Sequence, residues 1–287
     1  MLTIFANMKI NEPERLQHMK DSFLSFKDIS DDWVINIRGS LRKEAIEFLR
    51  DRLGDKMTPF ELLDDSKGWI ENALEMLDKT KHDYVLLWLE DHINMAPQAI
   101  YAEIVREMRQ ENADYMLYSW WMFGRARASF DKLSGELNIK RTAHIDVFDL
   151  TKDKWRKLVS VGNKYYILSL LGIYKKDFLI NMMKKDQNKL PMSLTKFLFK
   201  VMGLVNKIGI RFNTKNGFEL VNKFFFYKLR RYVKECPFDL EKSPIRTDVL
   251  PIRIALSKQE LFACIDDDID VPGYSLISRG AYSPHHL

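Results

Sequence analysis

The sequence predicts an α/β fold, a mainly parallel sheet with helices on both faces. Three observations lead there. The first 125 residues alternate short β-rich runs with amphipathic helical stretches. The runs are continuously apolar, as in Tyr84–Leu89, which is what strands covered on both faces require. At 287 residues, 46% hydrophobic and 30% charged, the composition is that of a globular chain and excludes wholesale disorder.

The elements follow in order. Leu2 to Met8 reads as a buried strand. After Glu12, Pro13 suits a first helical turn, and Leu16, Met19, Phe23 and Phe26 recur at helical spacing. Trp33 to Ile37 is a second strand, and Leu41, Ala45, Phe48 and Leu49 mark the next helix. Phe60 to Leu63 is the third expected strand. Ile70, Ala73, Leu74 and Leu77 then outline a helix that leads to the strand Tyr84–Leu89. Pro97 opens a helix with Ile100 and Ile104 inward, and Tyr115 to Trp121 supplies one more strand. Residues 126–190 are less regular, with an alternating stretch at Thr142–Phe148 and a segment Tyr165–Phe178 around Gly172. Residues 191–287 divide into a basic, aromatic-rich helical extension and, from Cys236, a Pro-, Asp- and Gly-rich tail that reads as extended.

No apolar run reaches the roughly 20 residues of a membrane span, and Met1–Ala6 is too short for a signal-peptide core, so a cytoplasmic protein is expected. The two cysteines, Cys236 and Cys264, have no C-x-x-C spacing and no nearby Cys/His cluster in sequence. They read as reduced, partly buried thiols. Net charge is +5, yet Pro191–Lys234 holds ten Lys/Arg against one acidic residue, Glu219, so that segment carries +9 and the remainder −4. Such an imbalance suggests an anionic partner at the segment.

In parallel α/β sheets ligands bind at the carboxyl ends of the strands. There the chain places Tyr84-Val85-Leu86-Leu87-Trp88-Leu89-Glu90-Asp91-His92, an apolar strand that ends in two acids and a histidine. Adjacent carboxylates on a rigid strand can hold a hard divalent cation, and a histidine can add a ligand or a donor to phosphate. A strand end reaching solvent, with Asp91 capping a turn, is the simpler alternative. Asp266-Asp267-Asp268-Ile269-Asp270 is a rival acidic cluster after the apolar run Leu261–Ile265, and Pro272-Gly273 behind it also fits an ordinary turn.

The order and spacing of these motifs resemble the GT-A glycosyltransferases, especially the large inverting family with many bacterial surface-polysaccharide members. The resemblance covers residues 1–122. Glu90-Asp91-His92 is similar to that family's acidic D-x-D region, which implies that Glu90, Asp91 and His92 hold Mg²⁺ or Mn²⁺ on a donor diphosphate. Gly68 and Asn72, in Lys67-Gly68-Trp69-Ile70-Glu71-Asn72-Ala73, resemble its G-x-x-x-A-R-N-x-G helix. Leu2-Thr3-Ile4-Phe5-Ala6-Asn7 resembles its first strand, and Ile35-Asn36-Ile37-Arg38-Gly39-Ser40 sits where a strand ending in acids is usual. The resemblance therefore implies donor contacts at Ala6, Asn7, Arg38, Asp65 and Asn72 in a nucleotide-sugar-binding half, residues 1–125. Residues 126–190 become the acceptor-side half.

The departures are Arg38 in place of an acid and Glu-Asp-His in place of Asp-x-Asp. Transfer with inversion needs a carboxylate base, for which Asp146, Asp149 and Asp177 are the candidates, with Asp146 and Asp177 preferred. The implied partners are a nucleotide-sugar donor and a glycan or lipid-linked acceptor.

In the basic segment Phe197, Val201, Leu204, Val205 and Ile208 share a helical face flanked by Lys196, Lys200 and Lys207. That pattern suits peripheral attachment to an anionic membrane surface and equally a core helix with a solvated edge. A nucleotidyltransferase is the enzymatic rival, but Ala6–Asn11 lacks its Gly-rich basic loop. A non-catalytic membrane- or nucleic-acid-binding protein is the rival of another class. Of these two surfaces nucleic acid is the less expected partner.

Overall fold

The computed structural model describes residues 1–63, 68–117, 130–161, 171–186, 249–266 and 273–283. Strands β1 (Thr3–Lys9), β2 (Trp33–Arg38), β3 (Met57–Phe60), β4 (Tyr84–Leu87), β6 (Tyr115–Leu117), β7 (Lys140–Arg141), β8 (Ile145–Leu150), β9 (Gly172–Lys175) and β10 (Ile252–Ser257) form one sheet. Its order is β3-β2-β1-β4-β9-β6-β10-β8-β7. β3, β2, β1 and β4 are mutually parallel. β9 runs against both β4 and β6, so β6 and its parallel neighbour β10 keep the direction of β1. This is the mainly parallel α/β architecture expected from the sequence. A second, two-stranded sheet pairs β5 (His92–Asn94) with β11 (Phe262–Cys264).

The helices are α1 (Pro13–Phe26), α2 (Arg42–Leu53), α3 (Gly68–Leu77), α4 (Ala99–Gln110), α5 (Ser134–Leu137), α6 (Lys152–Ser160) and α7 (Lys176–Asp186). α1 and α2 pack against each other, and α2 against β2 and β3. The crossover from β3 back to β4 reverses direction, so a right-handed connection puts α3 on the other face. There α3 packs on β1, β2 and α7. Among the described residues no helix is long and apolar enough to cross a membrane.

An aromatic knot ties α1 to the sheet. Phe23 and Trp33 have ring centroids 5.4 Å apart, as do Trp33 and Trp88, and all three are essentially fully buried. Trp88 N–H donates to Phe5 O (2.9 Å), extending the β1–β4 pairing one residue beyond β4. The chain leaving this anchor is Leu89-Glu90-Asp91.

Two elements differ from expectation. The third strand is Met57–Phe60 rather than Phe60–Leu63, and Leu63 is exposed. β3 is an edge strand, where Pro59 is tolerated and burial is partial, so its sequence lacks the apolar signature of its neighbours. Residues 252–257, read as part of an extended tail, are a central strand between β6 and β10's other neighbour, β8. Arg253 interrupts the apolar pattern there; its guanidinium meets Asp149 at 3.0 Å and its amide donates to Asp114 (2.8 Å). Strands from all three expected stretches of the chain thus share one sheet. The basic segment 191–234, with Lys196, Lys200 and Lys207, lies outside the described residues.

Candidate active site

The site is assembled by the β5–β11 ribbon, which sits where β4 ends. His92 lies directly opposite Cys264 in that antiparallel pair, Ile93 opposite Ala263 and Asn94 opposite Phe262. Ile265 N donates to Asp91 O (2.8 Å), carrying the pairing one residue further. The ribbon is bolted to α1 through Ser25 and to α4 through Tyr101. Asn94 N donates to Ser25 Oγ (2.9 Å), Asn94 Nδ2 to Ser25 O (3.1 Å), and Tyr101 Oη to Asn94 Oδ1 (2.6 Å). Ser22 Oγ accepts from Trp88 Nε1 (2.7 Å) and donates to His92 O.

α1 also supplies the positive side of the site. Arg15, His18, Ser22 and Ser25 follow at intervals of three, four and three, a single stripe along the helix beside its apolar stripe. Arg15 Nη1 donates to Asp91 Oδ2 (3.1 Å) and lies 4.0 Å from Glu90; Nη2 lies 3.9 Å from Asp266. His18 Nδ1 is 3.8 Å from Asp266 Oδ2, is buried and makes no hydrogen bond among the described residues. Tyr282 stacks edge-on against the His18 ring, and its hydroxyl donates to Asp21. Residues 273–283 are held to β11 by Leu276 N→Cys264 O (2.8 Å) and Ile277 N→Ile265 O (3.0 Å).

Charge at the turn is uneven. Burial, and then the neighbouring Asp91 charge, push the Glu90 carboxyl well above the usual carboxylate range. Burial alone would raise Asp91 too. The His92 ring, 2.6 Å away through Nδ1, and Arg15 outweigh it and hold Asp91 well below that range. Asp91 is therefore the fixed anion of the pair. One ligating atom from each of Asp91, His92 and Cys264 lies within 4.8 Å of the others, so the donor set fits a metal ion. Glu90 is not of that trio and faces Arg15.

At the carboxyl end of neighbouring β1 and β2 lies a buried set of amides. Asn36 Nδ2 donates to Asn7 Oδ1 (3.0 Å), Asn7 Nδ2 to Trp69 O (3.3 Å), and Trp69 Nε1 to Asn7 O (2.7 Å). Ala6 is fully covered beneath them. Asn72, on α3, is 1% exposed, yet neither its amide oxygen nor its nitrogen has a hydrogen-bond partner among the described residues. A buried amide left unmade costs about 1–3 kcal/mol, so this one marks a place where a polar ligand group would be favoured. Arg38 closes β2 in register with Lys9 and is half-buried. Gly39 next to it has φ +105°, and a Cβ there would meet Ile10 O at 2.3 Å, so the turn requires glycine. Asp65 lies outside the described residues.

The two preferred bases are not brought to this place. Asp177 opens α7, and Lys176 N beside it donates to Asp83 O (2.7 Å) at the start of β4. It lines a groove of about 590 Å³ with Leu74, Asp78 and Lys184, at the opposite edge of the sheet. At about 3.3 Å per residue that edge is about 20 Å from Asp91. β9 is antiparallel to its neighbours, so the residue after it emerges at their amino ends. Asp146 does reach the carboxyl edge, since it pairs with Leu256 near the end of β10. But β8 is four strands from β4, about 19 Å at the usual spacing, and Asp146 faces Lys258 Nζ at 3.8 Å. Asp149 is exposed and paired with Arg253.

Arg15, His18 and Cys264 are site residues that the sequence reading left out. The polar stripe of α1 was a visible signal for the first two. Asp266, from the rival acidic cluster, sits at the same site as Asp91, because β11 pairs with β5; Asp267, Asp268 and Asp270 lie outside the described residues.

No family model and no curated protein matches the sequence. Among solved structures, a crystal structure of S. aureus TarS residues 1–349 in complex with UDP-GlcNAc is similar at TM-score 0.39 and 12% identity, covering 63% of this chain and 47% of that one. A structure of S. aureus TarS is similar at TM-score 0.38 and 11% identity, covering 66% of this chain and 32% of that one. The chain thus spans between a third and a half of the TarS chains it matches. A likeness at this level assigns no residue and no activity.

Proposed function

We propose that the chain is a glycosyltransferase that moves a sugar from a nucleotide diphosphate sugar to a glycan or lipid-linked acceptor, in the manner of bacterial polysaccharide synthesis. The observation that carries this reading is the adjacency of the two halves of a donor site at one sheet edge. The buried amides of β1 and β2, with Asn72, whose amide has no partner among the described residues, offer donors and acceptors to a base or sugar. One strand away, Asp91, fixed as an anion beside His92 and Arg15, suits a diphosphate held through a cation. Asp91 and His92 would hold the ion, with Glu90 beside them; the ion would neutralise the departing diphosphate. Arg15 orients the Asp91 carboxylate and supplies further positive charge on the same side. The acceptor base is left unassigned.

The test is a thermal-shift series with nucleoside diphosphates, with and without Mn²⁺, followed by assay of sugar transfer. A ligand at 100 times its Kd stabilises the native state by about 2.7 kcal/mol. Asp91→Asn should lose the Mn²⁺-dependent part of that shift and nearly all transfer, with the fold intact by circular dichroism. If no nucleoside diphosphate shifts the wild type and only polyanions do so, in a strongly salt-dependent way, the chain is a binder of anionic surfaces instead.

A further inference from the structure

The corner at Asp91 and His92 contains a thiol. Cys264 and His92 are directly opposed across the β5–β11 ribbon, and opposed residues of an antiparallel pair put their side chains on the same face. Asp91 is the residue before His92, and its backbone is tied to the other strand by Ile265 N. One atom each of Asp91, His92 and Cys264 therefore comes within 4.8 Å of the other two. Cys264 is 2% exposed and His92 8%, while Asp91 stays partly open, so an ion would enter from the Asp91 side.

We propose that Asp91, His92 and Cys264 form a three-ligand site of mixed oxygen, nitrogen and sulfur donors that selects a borderline-soft divalent ion, Zn²⁺, over Mg²⁺. This deepens the donor-site reading and rests on it for where the ion would act. The selectivity argument is one of ligand chemistry. Mg²⁺ takes oxygen ligands in near-octahedral array and keeps its waters, whereas thiolate and imidazole together suit Zn²⁺. Bond lengths of about 2.0–2.3 Å in a tetrahedron put ligand atoms about 3.3–3.8 Å apart. The widest pair, within 4.8 Å, must close by up to about 1.5 Å, and the Asp91–His92 contact at 2.6 Å must open. Three protein ligands leave the fourth position open, where a phosphate oxygen can bind. The thiol proton leaves for solvent on binding, since the thiolate is the ligand. A nucleophilic role for the thiol is disfavoured by its burial.

Co²⁺ is the probe, because its thiolate complexes show a charge-transfer band in the near ultraviolet and its tetrahedral complexes show intense visible bands. The full chain, stripped with EDTA and titrated with CoCl₂, should show both, with Zn²⁺ displacing them and millimolar Mg²⁺ failing to do so. Cys264→Ser, close in size and checked for folding by circular dichroism, should lose the charge-transfer band and bind Zn²⁺ at least about tenfold more weakly. Asp91→Asn should keep the band and bind more weakly, and Cys236→Ser should leave the titration unchanged. Absence of the band in the wild type, its persistence in Cys264→Ser, or displacement of Co²⁺ by Mg²⁺ overturns the proposal. The readout needs no sugar transfer. A chain that binds Zn²⁺ through Cys264 but no nucleoside diphosphate keeps this inference and loses the donor reading; one that binds nucleotide with Mg²⁺ but shows no thiolate band does the reverse.

Discussion

Ser22→Ala tests how the site is held in place. The Ser22 hydroxyl is fully buried, accepts the Trp88 indole N–H at 2.7 Å and donates to the His92 carbonyl. Removing it leaves a buried donor and a buried acceptor, and each unmade group costs about 1–3 kcal/mol. Relaxation recovers part of this, so the expected loss is about 2–4 kcal/mol. For a large domain about 2–4 °C accompanies each kcal/mol, which puts the fall in Tm at about 4–16 °C. Because the lost bonds join α1 and the Trp88 anchor to β5, divalent-ion affinity should drop as well, by about 10–100-fold, as for the loss of groups that orient metal ligands. Urea unfolding with unchanged slope gives the stability term, and the Co²⁺ titration gives the affinity. Ser160→Ala, at an exposed serine bonded to Lys157 O, is the control and should stay within about 0.5 kcal/mol. If Ser22→Ala were as mild as that control, the claim that α1 positions the acidic turn through Ser22 would be refuted.

Glu107, on α4, should make the protein acid-labile. Burial opposes its ionisation, but the Thr142 hydroxyl and the His144 ring and amide outweigh that and hold its carboxyl below the ordinary value of 4.5. A depressed carboxylate contributes stability above its unfolded pKa and loses it as pH falls through the folded one. The Tm gap between wild type and Glu107→Gln should therefore be full at neutral pH and shrink below pH 4.5, and a gap that stays constant down to acid unfolding would remove this role. At the membrane, each basic residue near an anionic leaflet contributes about 1 kcal/mol, screened over about 8 Å at physiological salt. Replacing Lys196, Lys200 and Lys207 with Glu should release the chain from anionic vesicles in a co-sedimentation assay while sparing transfer to a soluble acceptor; unchanged sedimentation returns the segment to a wet helix edge.

Sequence alone determined the architecture wherever local pattern and burial agree. β1, β2 and β4 are buried on both faces, so their apolar runs were continuous and legible, and the acids that follow β4 stood out at its end. The helix at Gly68 was legible for the same reason, since its inward residues Ile70, Ala73 and Leu77 keep a helical period. The third strand was displaced because an edge strand carries no such run. Tertiary structure alone decided the composition of the site. The pairing of β11 with β5 joins residues about 170 positions apart, and it brings Asp266, the first acid of the rival cluster, to the same Arg15 side chain as Asp91. No local pattern encodes that pairing, because three-residue strands leave no period to read. It also gives Cys264 two neighbours that its sequence surroundings lack. Strand direction and order did the rest: β9 runs against its neighbours and carries Asp177 to the far edge, and β9, β6 and β10 between β4 and β8 set Asp146 four strands from Asp91. Distances across a sheet are set by strand order, and strand order is fixed by which faces find each other in the folded chain.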